Sequence, residues 1–222
     1  MYMSFNKTNY QKILNFIANS SKFYQSAVTP SIIAVTKTQP ESVIIEAIKA
    51  GISSFGENRV QEALIKYKNI KANNKQVKLH MIGPLQTNKV KKALEIFDFI
   101  HSLDRENLAK EFIKNINLPF FSNKFFFVQV NTGKEKQKSG IGFDEADAFI
   151  KYCLHDLKLN VIGLMCIPPP DDNPSTHFVL LKKLAMQNHL QHLSMGMSGD
   201  YTIALKNGAT FIRIGSLLFG DR

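Results

Sequence analysis

Short apolar runs alternate with amphipathic stretches along most of the chain. Residues 8–25 place Ile13, Leu14, Phe16, Ile17, Phe23 and Tyr24 at helical spacing, which predicts an N-terminal helix lying on the body of the protein. SIIAVTK (31–37) then reads as a strand buried on both faces, Pro40 opens a helix bearing Val43, Ile44, Ala47 and Ile48, and Gly51 stops it. ISSF (52–55) leads through Gly-Glu-Asn into a helix with Val60, Ala63, Leu64 and Tyr67 on one face. The alternation continues with KLHMIG (78–83) and a helix from about Gln86, then FDFIHSL (97–103) and a helix from about Asp104. FFFVQVN (125–131) precedes a lysine-rich loop and a helix capped near Asp144. LNVIGLMC (159–166) precedes a proline-rich loop and a helix over about 175–190. HLSMGM (192–197) leads into a short helix in DYTIALKNG, and TFIRIG (210–215) into a last turn through Phe219.

Strands that are apolar on both faces and alternate with helices belong in a parallel sheet covered by those helices. Eight such units in 222 residues predict an α/β fold, a compact (β/α)8 TIM barrel with an extra N-terminal helix. A doubly wound open sheet is the alternative that periodicity leaves open, although no GxGxxG or Walker-type glycine fingerprint follows the first strand. No linker, repeat or low-complexity tract divides the chain, so residues 1–222 are expected to form one domain.

Composition narrows the class. Hydrophobic residues make up 44% and charged residues 21%, as in ordinary globular proteins. No apolar run reaches the roughly 18 residues that span a bilayer, and MYMSFNKTNY lacks the apolar stretch of a signal peptide. A cytoplasmic protein with no membrane partner is expected. Cys153 and Cys166 sit among apolar neighbours and read as free buried thiols, and Glu95, Asp98, His155, His177, His189 and His192 form no metal-ligand spacing. The net charge of +10 raises nucleic acid as a partner, yet 24 of the 28 cationic residues are lysines and only Arg59, Arg105, Arg213 and Arg222 are arginines. Phosphate and base readers favour the planar arginine fork, so background lysine is the better reading and no nucleic acid is expected. Eight lysines and no acid lie between residues 66 and 92. Lys89 adds positive potential near the barrel mouth, and the others read as solvated helix faces.

In such a barrel chemistry sits where the strands end. Those positions are Lys37, Glu57, Asn58, His80, the loop from Gly83 to Lys89, Ser102, Asn131, Met165, Met197, Ser198, Arg213, Gly215 and Ser216. Lys37 closes an apolar strand, where desolvation lowers an amine's pKa toward the neutral form that attacks carbonyls; a lysine snorkelling to solvent is the plainer alternative. GMSGD (196–200) and IGS (214–216) bring serine, glycine and free backbone N–H groups to two successive helix starts, a pattern that binds phosphate or merely caps helices. Arg213 lies inside an apolar strand and needs a partner, either a carboxylate or a ligand heteroatom. His80 and Glu57 read as structural hydrogen-bonding groups.

Seven collinear blocks carry a resemblance that covers the chain from about residue 31 to its end: AVTKTQP (34–40), FGENRVQE (55–62), HMIGPLQTNK (80–89), KSGI (138–141), GLMCIPP (163–169), LSMGMSGD (193–200) and IRIGSLLFG (212–220). They resemble the signatures of the YggS/PROSC pyridoxal phosphate homeostasis family. The resemblance implies a single barrel similar to the alanine racemase N-terminal domain and pyridoxal 5'-phosphate (PLP) as cofactor. On the matching positions, Lys37 would carry PLP as a reversible Schiff base, while Ser198, Gly215 and Ser216 would hold its phosphate. Asn58 would stand near the ring and Arg213 would face the pyridine nitrogen. A permanent cation there disfavours ring protonation and restrains carbanion chemistry. Racemases of this fold add a second domain and a tyrosine opposite the lysine, for which a chain ending at Arg222 leaves no room. The implied function is PLP binding in vitamin B6 homeostasis with no established turnover, as a monomer whose further partners would be PLP-dependent apoenzymes. A weak PLP-dependent amino-acid racemase is the alternative. The short PPPDDNPSTH loop, Tyr201 and Thr202 after SGD, and Leu217 after RIGS depart from the usual family pattern.

Overall fold

Parallel pairing of neighbouring strands around a complete ring organises the structure. The computed structural model describes residues 4–19, 28–133, 135 and 138–220. The strands are β1 (Ser31–Val35), β2 (Ser54–Glu57), β3 (Lys78–Met81), β4 (Phe99–Leu103), β5 (Phe125–Asn131), the two-residue β6 (Ile141–Gly142), β7 (Val161–Met165), β8 (His192–Ser194) and β9 (Phe211–Ile214). The sheet order is β4-β3-β2-β1-β9-β8-β7-β5, and β4 also pairs with β5, so eight parallel strands close a barrel. β6 pairs with the end of β5 outside the ring, through Val130 opposite Ile141. Sequence periodicity has no means of revealing so short a strand.

The helices are α1 (Lys7–Asn19), α2 (Glu41–Lys49), α3 (Val60–Asn73), α4 (Val90–Ile96), α5 (Glu106–Lys114), α6 (Phe143–Lys151), α7 (Pro174–Gln187), α8 (Tyr201–Lys206) and α9 (Ser216–Phe219). α1 ends the described part of the expected 8–25 helix; Phe23 and Tyr24 lie outside the described residues. β2 starts two residues later than expected because Ile52 still donates to the Ala47 carbonyl of α2. A turn of 3₁₀ helix over Thr87–Lys89 leads into α4, and a π-helical turn over Tyr152–Asp156 extends α6. Gly142, rather than Asp144, is the cap of α6, and Asp144 sits in its first turn, where a negative charge suits the helix dipole. At α7 the Asn173 side chain accepts from the Ser175 N–H and Pro174 takes the first turn, a local start signal written wholly in the sequence.

The lysine-rich stretch is less uniform than a solvated face. Lys71 Nζ pairs with Asp98 Oδ2 at 2.7 Å and donates to the Ile96 carbonyl at 2.8 Å, while Lys66 reaches buried Glu57. Cys153 and Cys166 are free and buried, and burial pushes both thiols up to about 12, as expected of inert cysteines. No helix among the described residues is long and apolar enough to cross a membrane.

The lower barrel is filled with aromatic rings, among them the fully buried His80 and His101 and, beside Phe211, His192. His80 stacks on Phe99 at 4.4 Å between ring centres, His101 stacks on Phe127 at 4.2 Å, and the edge of Phe211 meets both His101 and Phe127. Neither histidine is exposed to water. Burial lowers His80 to about 3 and holds His101 well below the ordinary histidine value, so both are neutral.

A pH dependence of stability follows. Histidines of the unfolded chain take up protons near pH 6.5 while these two do not, so the native state loses ground as pH falls from about 6.5 toward 4. Each histidine contributes about 1.4 kcal/mol per pH unit to that loss. Urea midpoints at pH 7, 6 and 5 should show a shallower acid loss for His101→Phe, which keeps a ring over Phe127, than for the parent protein.

Candidate functional site

A cavity of about 540 Å³ opens at the C-terminal ends of the strands, between the loops that follow β1, β2, β8 and β9. Lys37, Asn58, Ser198, Arg213, Gly215 and Ser216, distributed over four segments of the sequence, all line it. Gln39, Ile82, Ile167 and Met197 complete much of the wall. No carboxylate lines the cavity among the described residues, whereas an ammonium and a guanidinium do, which suits an anionic ligand.

Pairing of β1 with β9 sets Ile33 opposite Arg213 and Ala34 opposite Ile214, so Lys37 and the Gly215-Ser216 turn emerge side by side. β1 ends at Val35, two residues before Lys37, because Thr38 turns the chain with φ of 66°. Both neighbours of Lys37 are tied to α3. The Thr36 carbonyl accepts from Lys66 Nζ at 2.7 Å, and the Thr38 N–H donates to Glu62 Oε1 at 2.6 Å. Lys66 Nζ also pairs with Glu57 Oε1 at 2.7 Å and Glu62 Oε1 at 2.9 Å. Thr36 Oγ1 donates to Glu57 Oε1 at 2.8 Å and meets the Tyr67 hydroxyl at 2.6 Å. Burial raises the pKa of Glu57, with the Lys66 ammonium pulling the other way. Glu57 therefore stands behind the cavity wall as a buried anchor, and its Oε2 has no partner.

The phosphate-like half of the cavity comes from two loops that touch. The Gly215 N–H donates to Ser198 Oγ at 3.3 Å, and the Asp200 side chain accepts from the Met197 N–H at 2.6 Å. Gly196 turns this loop with φ of 90°, and an added Cβ would come within 2.5 Å of the Ala204 side chain. α8 and α9 have only six and four residues, too short for a substantial macrodipole. The donors are hydroxyls and the first amides of α9, at Ser216 and Leu217, which have no intrahelical acceptor. α1 holds α9 from outside: the Asn6 N–H donates to the Leu218 carbonyl at 2.8 Å and Asn9 Nδ2 to the Leu217 carbonyl at 2.9 Å. Across the cavity, Gly83 lets the next loop lie against Asn58, whose carbonyl would be 2.6 Å from any Cβ there.

Arg213 meets neither a carboxylate nor an exposed edge. It is 3% exposed, donating from Nη1 to Ser194 Oγ and from Nη2 to the Cys166 carbonyl, each at 2.9 Å. Burial lowers its pKa, but a guanidinium keeps its proton in proteins. Ser194 Oγ continues to His101 Nδ1 and His101 Nε2 to His80 Nδ1, both at 2.9 Å. His80 is thus linked to the site from below without lining it.

Ser102, Asn131, Met165 and Lys89 are not brought to the cavity wall, and Met197 is. Sequence reasoning missed Gln39, Ile82 and Ile167. Gln39 lies two residues beyond Lys37 and is 6% exposed, with its Oε1 buried and unpartnered. Ile82 stands inside the HMIGPLQTNK block, so the signal for both was present in motifs already singled out.

Comparison with known proteins bears on the family and the fold. The family described as alanine racemase, N-terminal domain, matches residues 13–222. A relative from Aquifex aeolicus (strain VF5) called pyridoxal phosphate homeostasis protein is 40% identical over 203 residues, covering 86% of each chain. The structure of PipY from Synechococcus elongatus PCC7942 with PLP bound has 32% identity and a TM-score of 0.75, covering 94% of this chain and all of that one. Alanine racemase from Corynebacterium glutamicum is similar in fold, with 14% identity and a TM-score of 0.66 over 97% of this chain and 61% of its own.

The Lys66 clamp predicts a large stability effect. Lys66→Met leaves Glu57 buried beside no cation and should cost about 3–5 kcal/mol. Lys66→Met combined with Glu57→Gln should recover much of that loss, as measured by chemical denaturation.

Proposed function

The chain belongs to the alanine racemase N-terminal domain family, and we propose that it serves pyridoxal phosphate homeostasis by holding PLP in the cavity at the C-terminal end of its barrel. The observation that carries this reading is the convergence of Lys37, Arg213 and the Ser198-Gly215-Ser216 cluster on one cavity with no carboxylate among the described residues that line it. This donor set fits the group: a primary amine for an aldehyde, hydroxyls and amides for a phosphate, and a buried cation for a ring nitrogen. When bound, PLP supplies an aldehyde that forms a reversible Schiff base with a primary amine.

Each residue has a part that its surroundings explain. Lys37 lines the cavity from a turn whose two flanking residues are tied to α3, which holds its amine where an aldehyde would enter. Ser198, Ser216 and the α9 amides would hold the phosphate, Asn58 would stand beside the ring, and Gln39 has a buried, unpartnered amide oxygen near Lys37. Arg213 places a fixed positive charge at the cavity floor and disfavours a second one beside it, so the site is suited to holding PLP rather than to stabilising carbanions. Exchange of Lys37 for another amine would release PLP, and PLP-dependent apoenzymes are the proposed recipients. The proposed compartment is the cytoplasm, where the buried free thiols of Cys153 and Cys166 are at home.

Borohydride treatment of the PLP-loaded protein, followed by peptide mapping, should place a pyridoxyl label on Lys37. Lys37→Ala should abolish the label and the near-visible absorbance while leaving the thermal midpoint of the apoprotein nearly unchanged. A label on another lysine overturns the assignment.

A further inference from the structure

The hydrogen-bond chain beneath Arg213 has one direction in which the serine proton finds an acceptor. A guanidinium donates and never accepts. Ser194 Oγ therefore accepts from Arg213 Nη1, and its own buried proton is satisfied by turning to its other partner, His101 Nδ1, whereas a donating His101 Nδ1–H would leave that proton without an acceptor. His101 is neutral, so its single proton sits on Nε2 and is donated to His80 Nδ1. His80 in turn carries its proton on Nε2, an atom that is buried with no hydrogen-bond partner. The chain starts on a cation that cannot be reversed and ends on an unsatisfied N–H in the aromatic core.

We propose that Ser194, oriented by His101 behind it, is a positioning residue that fixes the Arg213 guanidinium for the cofactor's ring nitrogen. This rests on the PLP reading above. Ser194 and the Cys166 carbonyl take one N–H from each terminal nitrogen of the fork, and the 3% exposure of Arg213 leaves it little freedom to swing. Both acceptors are neutral. A carboxylate in the place of Ser194 would orient the fork equally well but would cancel its charge, whereas a hydroxyl backed by two neutral imidazoles fixes the geometry and leaves the full positive charge to the ligand. The stacks of His101 on Phe127 and His80 on Phe99 fix the ring planes, so the serine's lone pair cannot rotate away without breaking the next link. An isolated serine would lack that restraint.

Two measurements test this, one of them independent of PLP. In the apoprotein at pH 7, nitrogen-15 NMR of the histidine rings should find His80 and His101 neutral, both protonated on Nε2; an Nδ1–H tautomer at either overturns the proposal. In the second, PLP labelled with nitrogen-15 in its ring is bound to the parent and to variants. Ser194→Ala and His101→Phe should shift the ring-nitrogen resonance and weaken PLP binding by about tenfold. Ser194→Thr, which keeps the hydroxyl, should restore both. An unchanged ring-nitrogen resonance and affinity in Ser194→Ala overturn the proposal, and if that variant does not fold, His101→Phe decides on the same criteria. Failure of the parent protein to bind PLP overturns the functional reading itself and leaves the tautomer result to stand alone.

Discussion

Closure of the barrel between its first and last strands is the constraint on which the site depends. β1 and β9 are separated by most of the chain, yet their register places Ile33 beside Arg213. From that pairing, Lys37 and the Gly215-Ser216 turn must leave the sheet on the same side and at similar height. A sheet left open between β1 and β9 would keep the two at opposite edges. The amine and the phosphate-like cluster, each of limited meaning alone, become one site because the ring is complete.

The second constraint is charge kept out of water, and the protein meets it in two ways. Outside the sheet, Lys66 and Glu57 form a buried pair that also grips the Thr36 carbonyl, so the ion pair stabilises a backbone turn rather than merely two side chains. Inside the barrel, Arg213 has only neutral acceptors. The difference has a functional logic. A neutralised pair is suited to anchoring a loop, and an unneutralised cation with a fixed orientation is suited to meeting a ligand. The aromatic filling of the lower barrel serves the second arrangement, because rings stacked on Phe99 and Phe127 hold two imidazoles neutral and in line.

Much of the site was legible because the relevant signals are local. Lys37 follows an apolar strand, Ser198 and Ser216 follow glycine turns, and Arg213 interrupts an apolar run; each is visible within a few residues. The links between them were not legible. Lys66 read as one more lysine on a solvated helix face, since nothing near it reveals that α3 lays its ammonium over Glu57. His80 read as a structural group and His101 attracted no notice, because the partner of each lies on another strand. Of the partners expected for Arg213, no carboxylate meets it among the described residues, and a hydroxyl from β8 and a carbonyl just past β7 hold its fork.

The sequence by itself determined the order of strands and helices, the parallel class of the sheet and the chemical kinds of group at the strand ends. Those follow from hydrophobic periodicity, turn residues and capping, which act over a few residues. The tertiary structure alone decided that the ring closes, that six dispersed residues line one cavity, and that Arg213 keeps its charge while its orientation is fixed. Those depend on strand register and on contacts between residues far apart in sequence, 21 positions for Thr36 and Glu57 and 93 for His101 and Ser194. Only the assembled barrel brings such distant groups within hydrogen-bonding range.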